Sequence, residues 1–258
     1  MTKINFNGSF KDIIKQIILN HPALKKSYSQ KFPNSKYSLD FILDEIIYVL
    51  KTGISWRNLR SSINWNTLFH HFSRFVKYNI FKTLFTKLRR NHFKTKNSNI
   101  KIIDSSFIPN KYGRNFISRN KFYKNKTGTK ISLITDIDGI PLSILVNKGS
   151  IHDLSFIKEH VKDCKCIIKN SVILADKGYE SKKMRNYILS YNSSFMIMKK
   201  KNMTTAYSFN KNLYRKRIKI ENTFQKLKSF RRLMIRFDAL IENFLSFIYI
   251  AASLLLLK

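Results

Sequence analysis

The run KISLITDIDGIPLSILV, Lys130–Val146, holds two β-branched apolar segments separated by Asp136-Ile137-Asp138-Gly139. Alternating or continuous apolar runs of this length, split by Asp and Gly, predict a β-hairpin. Shorter runs of the same kind stand on either side: IKIID (Ile100–Asp104) before it, SVILAD (Ser171–Asp176) and SSFMIMKK (Ser193–Lys200) after it. Between the later runs the apolar period lengthens to helical spacing, in DLSFIKEHVKDC (Asp153–Cys164) and SKKMRNYILSYN (Ser181–Asn192). Strands alternating with helices in this order predict an α/β domain, a mixed sheet covered by helices.

Upstream the pattern is helical. LDFILDEIIYVLKTG (Leu39–Gly53) and WNTLFHHFSRFVKYNIFKTLFTKL (Trp65–Leu88) predict two helices, with Gly53 as a stop and a short helix in ISWRNLRSSI between them. The last of the three would expose His70, His71, Arg74 and Lys77. A helix-turn-helix DNA reader has this form, and so does any small bundle with basic faces. The polar stretch RRNHFKTKNSN (Arg89–Asn99) reads as a linker. We therefore expect a helical region over 1–99 and an α/β domain over 100–258. Asn110–Lys130, basic, aromatic and small polar, is expected to be a loop that orders on a phosphate backbone.

The 258 residues contain 49 Lys and Arg against 15 Asp and Glu, a formal charge of +34, and are 43% hydrophobic. The apolar fraction supports a core, and the excess charge points to a polyanion, nucleic acid first. An anionic membrane would call for a long apolar span or a lipid anchor. The apolar C-terminal run, Phe244–Leu257, is only 14 residues and reads as a buried helix. The first residues, MTKINFNGSF, lack the continuous apolar core of a secretion signal, so a cytoplasmic, nucleoid-associated protein is expected, or a nuclear one in a eukaryote. Cys164 and Cys166, with His160 nearby, read as structural residues, not as a metal site.

So few acids can be weighed one by one. Asp104, Asp136 and Asp176 each end an apolar run, where open α/β sheets put functional side chains. Asp136 and Asp138 are good turn residues and need no other role. Asp104 and Asp176 are either turn or cap residues themselves or functional carboxylates. Further on, YRKRIKIENTFQKLKSFRR (Tyr214–Arg232) has one acid, Glu221, among bases. On a helix Tyr214, Arg217, Glu221 and Lys228 share one polar stripe. Arg217–Glu221 could be a surface ion pair, although the cations far outnumber it. The alternative is chemical: two Asp from strand ends and one Glu could hold a pair of Mg2+ ions for phosphodiester hydrolysis, with the neighbouring bases gripping phosphates.

The motifs IIDSS at Asp104, TKISLITDIDGIPL, GSIHD (Gly149–Asp153), ILADKGYES at Asp176 and YRKRIKIENTFQKLK together resemble the DDE transposases of bacterial insertion sequences, of the insertion-sequence-five group. The last matches the family's spacing of Tyr, Arg, Glu and Lys at every position, and VLKTGISWRNL and SFRRLMIRFD extend the likeness over most of the chain. The resemblance implies an RNase H-like core in which Asp104, Asp176 and Glu221 are catalytic and hold two Mg2+ ions, or Mn2+ in their place. It implies double-stranded DNA as partner, both transposon inverted repeats and target, and a dimer or higher oligomer. Tyr214, Arg217 and Lys228 carry over as DNA contacts, and Lys130, Arg231, Arg232, Arg74 and Lys77 join them as basic candidates. His152 and Asp153 are read as loop residues.

Overall fold

The computed structural model describes residues 8–29, 36–96, 98–198 and 209–257, and every side chain among them except that of Cys166. Met1–Asn7, most of the stretch read for a secretion signal, and Lys199–Lys200, the end of the last expected strand, lie outside them. In chain order come α1 (Phe10–Leu19), α2 (Pro22–Tyr28), α3 (Leu39–Thr52), α4 (Trp65–Lys77), α5 (Ile80–Thr95), β1 (Ile100–Pro109), β2 (Ser118–Asn120), β3 (Lys126–Asp136) and β4 (Pro141–Lys148). There follow α6 (Ser155–Ile168), β5 (Val172–Ala175), α7 (Lys182–Leu189), β6 (Ser194–Ile197), α8 (Lys211–Tyr214), α9 (Ile218–Ser229) and α10 (Ile241–Leu256). They form two compact units, residues 1–91 with 227–258, and residues 92–226.

The first unit is helical. Gly53 ends α3 in the left-handed conformation, φ 69°, which a residue without Cβ adopts at no cost. Two sequence expectations are corrected here. ISWRNLRSSI yields only a single 3-10 turn, Trp56–Asn58. The long helix expected over Trp65–Leu88 is broken, because Asn79 takes φ 53° and turns the chain between α4 and α5. Helix α5 then runs through most of the expected linker, to Thr95. The apolar C-terminal run is the buried helix α10, and it packs in this unit: Phe247 stacks on Phe72 of α4 at 4.7 Å, and Tyr249 on Phe85 of α5 at 5.4 Å. A boundary at residue 99 therefore does not enclose everything in the helical unit. Among the described residues no helix is long and apolar enough to cross a membrane.

The second unit is built on a six-stranded sheet. β1 pairs antiparallel with β3 and parallel with β5, which pairs parallel with β6. On its other edge β3 pairs with β2 through Lys126–Gly128 and with β4 through Thr129–Thr135. Three antiparallel strands, β4, β3 and β1, continued by two parallel ones are the RNase H-like mixed sheet that the resemblance implies. The hairpin from β3 to β4 turns where expected: the Asp136 carboxylate accepts the amides of Asp138 and Ile140 at 3.0 and 2.8 Å, and Gly139 takes φ 85°. Asn110–Lys130 is not one long loop, since it contains β2 and the start of β3.

Candidate active site

The parallel register of β1 and β5 sets the site. Ile102 lies opposite Leu174, so Asp104 within β1 and Asp176, the first residue past β5, each two residues further on, stand at the same height. Strands are about 4.8 Å apart, and two residues restore the same face of the pleat. The guanidinium of Arg217 lies against both carboxylates, Nη2 at 3.3 Å from Asp104 Oδ2 and Nη1 at 3.8 Å from Asp176 Oδ1. Arg217 belongs to the 3-10 turn, Arg215–Arg217, that joins α8 to α9. Tyr214 anchors that turn, donating from its hydroxyl to the carbonyl of Ala175 at 3.3 Å while Arg217 packs over its ring at 5.6 Å.

Glu221 follows Arg217 by four residues on α9 and is exposed. The structure thus brings two of the three expected carboxylates together around Arg217. Among the described residues no group of three His, Cys, Asp or Glu side chains stands close enough to share a metal ion. The two aspartates differ. Asp176 is exposed and accepts the amide of Lys177 at 2.7 Å. Asp104 is half-buried, and burial pushes its pKa up to about 6, with the charges of Asp176 and Asp153 adding to the rise and Arg217 opposing it.

Asp153 is more than a loop residue. It accepts the Ser105 hydroxyl at 2.6 Å and the Lys130 ammonium at 2.9 Å, tying β1, one residue past Asp104, to β3. A Cβ at Gly178, two residues past Asp176, would lie 3.9 Å from its other oxygen. Asp153 therefore stands between the segments that carry both aspartates. The sequence signal for it was the GSIHD motif, which spacing alone could not connect to Asp104. His152 has a local role, its Nδ1 accepting the amide of Leu154 at 3.3 Å.

Behind Asp104 lies a buried polar chain. Ser132 Oγ of β3 lies 3.3 Å from the Asp104 carbonyl and donates to His160 Nε2 at 2.9 Å; His160 Nδ1 donates to Ser143 Oγ at 2.8 Å, and Ser143 donates to Asp163 at 2.7 Å. His160 is fully buried, which presses its pKa down to about 3, a shift that Asp163 partly offsets. A folded pKa below the unfolded value of about 6.5 means that the unfolded chain binds the extra proton, so this residue's contribution is lost as pH falls below about 6.5. The slope is about 1.4 kcal/mol per pH unit, about 3 kcal/mol by pH 4. Urea unfolding of wild type and His160→Asn at pH 7 and pH 4.5 should give a smaller acid loss in the variant; equal losses would show that His160 does not govern it.

The basic candidates divide. Lys77 and Arg231 are exposed. Lys228 is half-buried, and burial lowers its pKa. Lys130 is committed inward, to Asp153 and to the Ile151 carbonyl at 2.7 Å. Arg74, half-buried, donates to Ser27 Oγ at 3.1 Å and packs over the Tyr28 ring. Its neighbour His71 is bonded to the Tyr28 hydroxyl at 2.6 Å, contrary to the exposed position expected. Arg232 requires the clearest correction: it is 4% exposed and paired with Asp238, so it is a core ion pair and not a DNA contact.

The sheet thus sets Asp104, within β1, and Asp176, just past β5, at the same height. A family model described as the transposase DDE domain matches residues 95–256, more than half of the chain. A putative transposase for insertion sequence element IS6501 from Brucella ovis is 25% identical over 131 residues, covering 50% of this chain and 98% of that protein. The piggyBac transposase, solved as a synaptic complex with hairpin DNA, superposes with a TM-score of 0.57 at 11% identity, over 99% of this chain and 76% of that one. The Mos1 transposase paired-end complex with the left transposon end aligns over 90% and 83% with a TM-score of 0.28 at 9% identity, too low to bear on the fold. The chain belongs to the DDE-domain transposase family. It is a DNA transposase, an enzyme that cuts and joins DNA strands.

Proposed function

We propose that this transposase cuts double-stranded DNA at the inverted repeats of an insertion sequence of the insertion-sequence-five group and joins the freed ends to target DNA. Its catalytic carboxylates are Asp104, Asp176 and Glu221. The observation that carries the reading is the Arg217 guanidinium held by two carboxylates, one within β1 and one just past its parallel neighbour β5. Two acids whose charges already collect one cation, offering only oxygen donors, fit a hard divalent ion. Asp104 and Asp176 would hold it, and Glu221, four residues beyond Arg217, is the third ligand we assign. The ion is Mg2+, two per site, with Mn2+ able to replace it. Bound there, such a pair supplies an activated water and neutralises charge on the phosphorus.

The chain's own groups orient and bind. Tyr214 fixes the Arg217 turn against the end of β5, and Arg217 holds the two aspartates and reaches the DNA end with Tyr214. Asp153 keeps Ser105 and Lys130 in place beside Asp104. Lys228, Lys77 and Arg231 bind phosphates by charge. The helical unit, residues 1–91 with 227–258, acts as the DNA-binding region and residues 92–226 carry the catalytic site, in a dimer or higher oligomer that pairs two ends, in the cytoplasm on the nucleoid.

The test uses DNA carrying the inverted repeats that flank the gene. Wild type should cut it in Mg2+ and join the product to a target plasmid, and Asp176→Ala and Glu221→Gln should cut at least about 100-fold more slowly while gel-shift affinity stays the same. Cutting by Asp176→Ala at the wild-type rate would remove the reading; cutting without joining would leave a nuclease.

A further inference from the structure

The segment from Asn110 to Lys126 lies beside the acidic site, yet neither the carboxylates nor the phosphate-binding residues above account for its aromatic side chains. Phe122 is 96% exposed, and Tyr112 and Tyr123 are 63% and 46% exposed. No acid occurs between Asp104 and Asp136, while Arg119, Lys121, Lys124 and Lys126 flank Phe122 in the sequence. The turn that presents Phe122 is tied down. Asn120 accepts the Phe122 amide at 2.9 Å and donates from its buried side chain to the Gly149 carbonyl at 2.6 Å. Lys124 and Asn125 close the turn at φ 53° and 54°, and β2 and β3 pair on either side of it.

The turn is also built against the catalytic strand. Tyr123 stacks flat on Phe107, three residues past Asp104 on β1, with ring centroids 4.5 Å apart and planes 15° apart. Phe107 can lie there because its neighbours are glycines: a Cβ on Gly128 would come within 2.2 Å of the ring and one on Gly149 within 2.8 Å. Tyr123 is near enough to the acids for its hydroxyl to be affected. Burial raises its pKa, and Asp153 and Asp104 raise it further.

A fully exposed phenylalanine on a pinned turn adds nothing to the core, and with only basic charges in the sequence on either side its partner is anionic. Aromatic rings bind nucleotides by stacking, but in a duplex both faces of every interior base are already covered by neighbours. The partner that fits is therefore an unpaired base on a phosphate chain. We infer that Phe122 and Tyr123 form a stacking platform for unpaired nucleotides of a DNA strand lying beside Asp104 and Asp176, with the flanking lysines on its phosphates. This rests on the carboxylate site proposed above and adds the state of the DNA that the site takes: locally single-stranded.

The experiment uses the full chain without divalent ions, so that no cutting is needed. The probes are a mixed-sequence duplex with blunt ends and the same duplex with a short unpaired thymidine tail carrying 2-aminopurine. Phe122→Ala should weaken tailed-duplex binding by about 10- to 100-fold and abolish 2-aminopurine quenching, leaving blunt-duplex binding unchanged. Phe122→Trp should restore both. The side chain is exposed, so folding is not at stake. Equal affinity of Phe122→Ala and wild type for the tailed probe, or an equal loss on both probes, would overturn the platform. So would an unchanged tail preference accompanied by lost self-association, which would assign this face to a second copy of the chain. Failure here is separable from failure of the active-site reading, because that reading is judged by cutting in Asp176→Ala and this one by binding without cutting.

Discussion

Arg217→Ala is expected to slow strand cutting by about 100- to 1,000-fold, the range observed when one pre-aimed donor is removed from an enzyme site. The reason lies in the parallel register of β1 and β5. It brings two carboxylates to the same height, and their mutual repulsion is one of the causes that raise the Asp104 pKa to about 6. Arg217 opposes that repulsion from 3.3 and 3.8 Å and draws both groups toward one guanidinium. Without it the carboxylates are free to turn apart. The guanidinium is a planar fork whose two arms address different acids; an ammonium is a single point and cannot do both. Arg217→Lys should therefore recover only part of the rate. Single-turnover cutting of an end-containing duplex measures this, and a rate within a few-fold of wild type for Arg217→Ala would show that the arginine neither aims nor neutralises the pair.

How much of this was legible in the chain depends on the range of the interaction. Local rules worked at the hairpin, where Asp136 and Gly139 turn as their side chains require, and at Gly53, which ends α3. They failed at Asn79, because the apolar period on its two sides is continuous and only the backbone sign at one residue breaks the helix. The order of strands was readable from where the β-branched runs stand, and Asp176 does follow the end of β5; Asp104, expected at a strand end, lies inside β1, which continues to Pro109 because Ser105–Pro109 pair on with β3. That Arg217 would turn to Asp104, 113 residues away, and not to Glu221 four residues on in α9, was not readable. Helical spacing shows which residues share a stripe and says nothing of what the stripe faces. The same blindness affected the bases. Lys130 and Arg232 look like phosphate contacts in a chain of +34 charge, yet Asp153 and Asp238, remote or masked by the excess, draw them inward.

Arg232→Ala is expected to cost about 3–5 kcal/mol of stability, the penalty for breaking a buried ion pair by removing one partner. Arg232 and Asp238 are each 4% exposed. The pair is bidentate, Nη2 to Oδ1 at 2.7 Å and Nε to Oδ2 at 3.2 Å, and Nη1 also donates to the Ile54 carbonyl at 3.2 Å. The guanidinium lies between two rings, 5.4 Å from Phe247 and 5.9 Å from Trp56. Truncation would strand the Asp238 charge among these side chains and open a hole beneath α10. A loss of this size is a large part of the 5–15 kcal/mol that holds a typical domain together. Its neighbour Arg231 is exposed, so Arg231→Ala should behave in the opposite way: unchanged urea midpoint, and a DNA-binding salt slope reduced by about 1. Measuring both quantities in both variants separates the roles that adjacent arginines take from burial alone. If Arg232→Ala kept the wild-type urea midpoint and altered the salt slope instead, the buried pair would have no part in the fold and this arginine would belong with the DNA contacts.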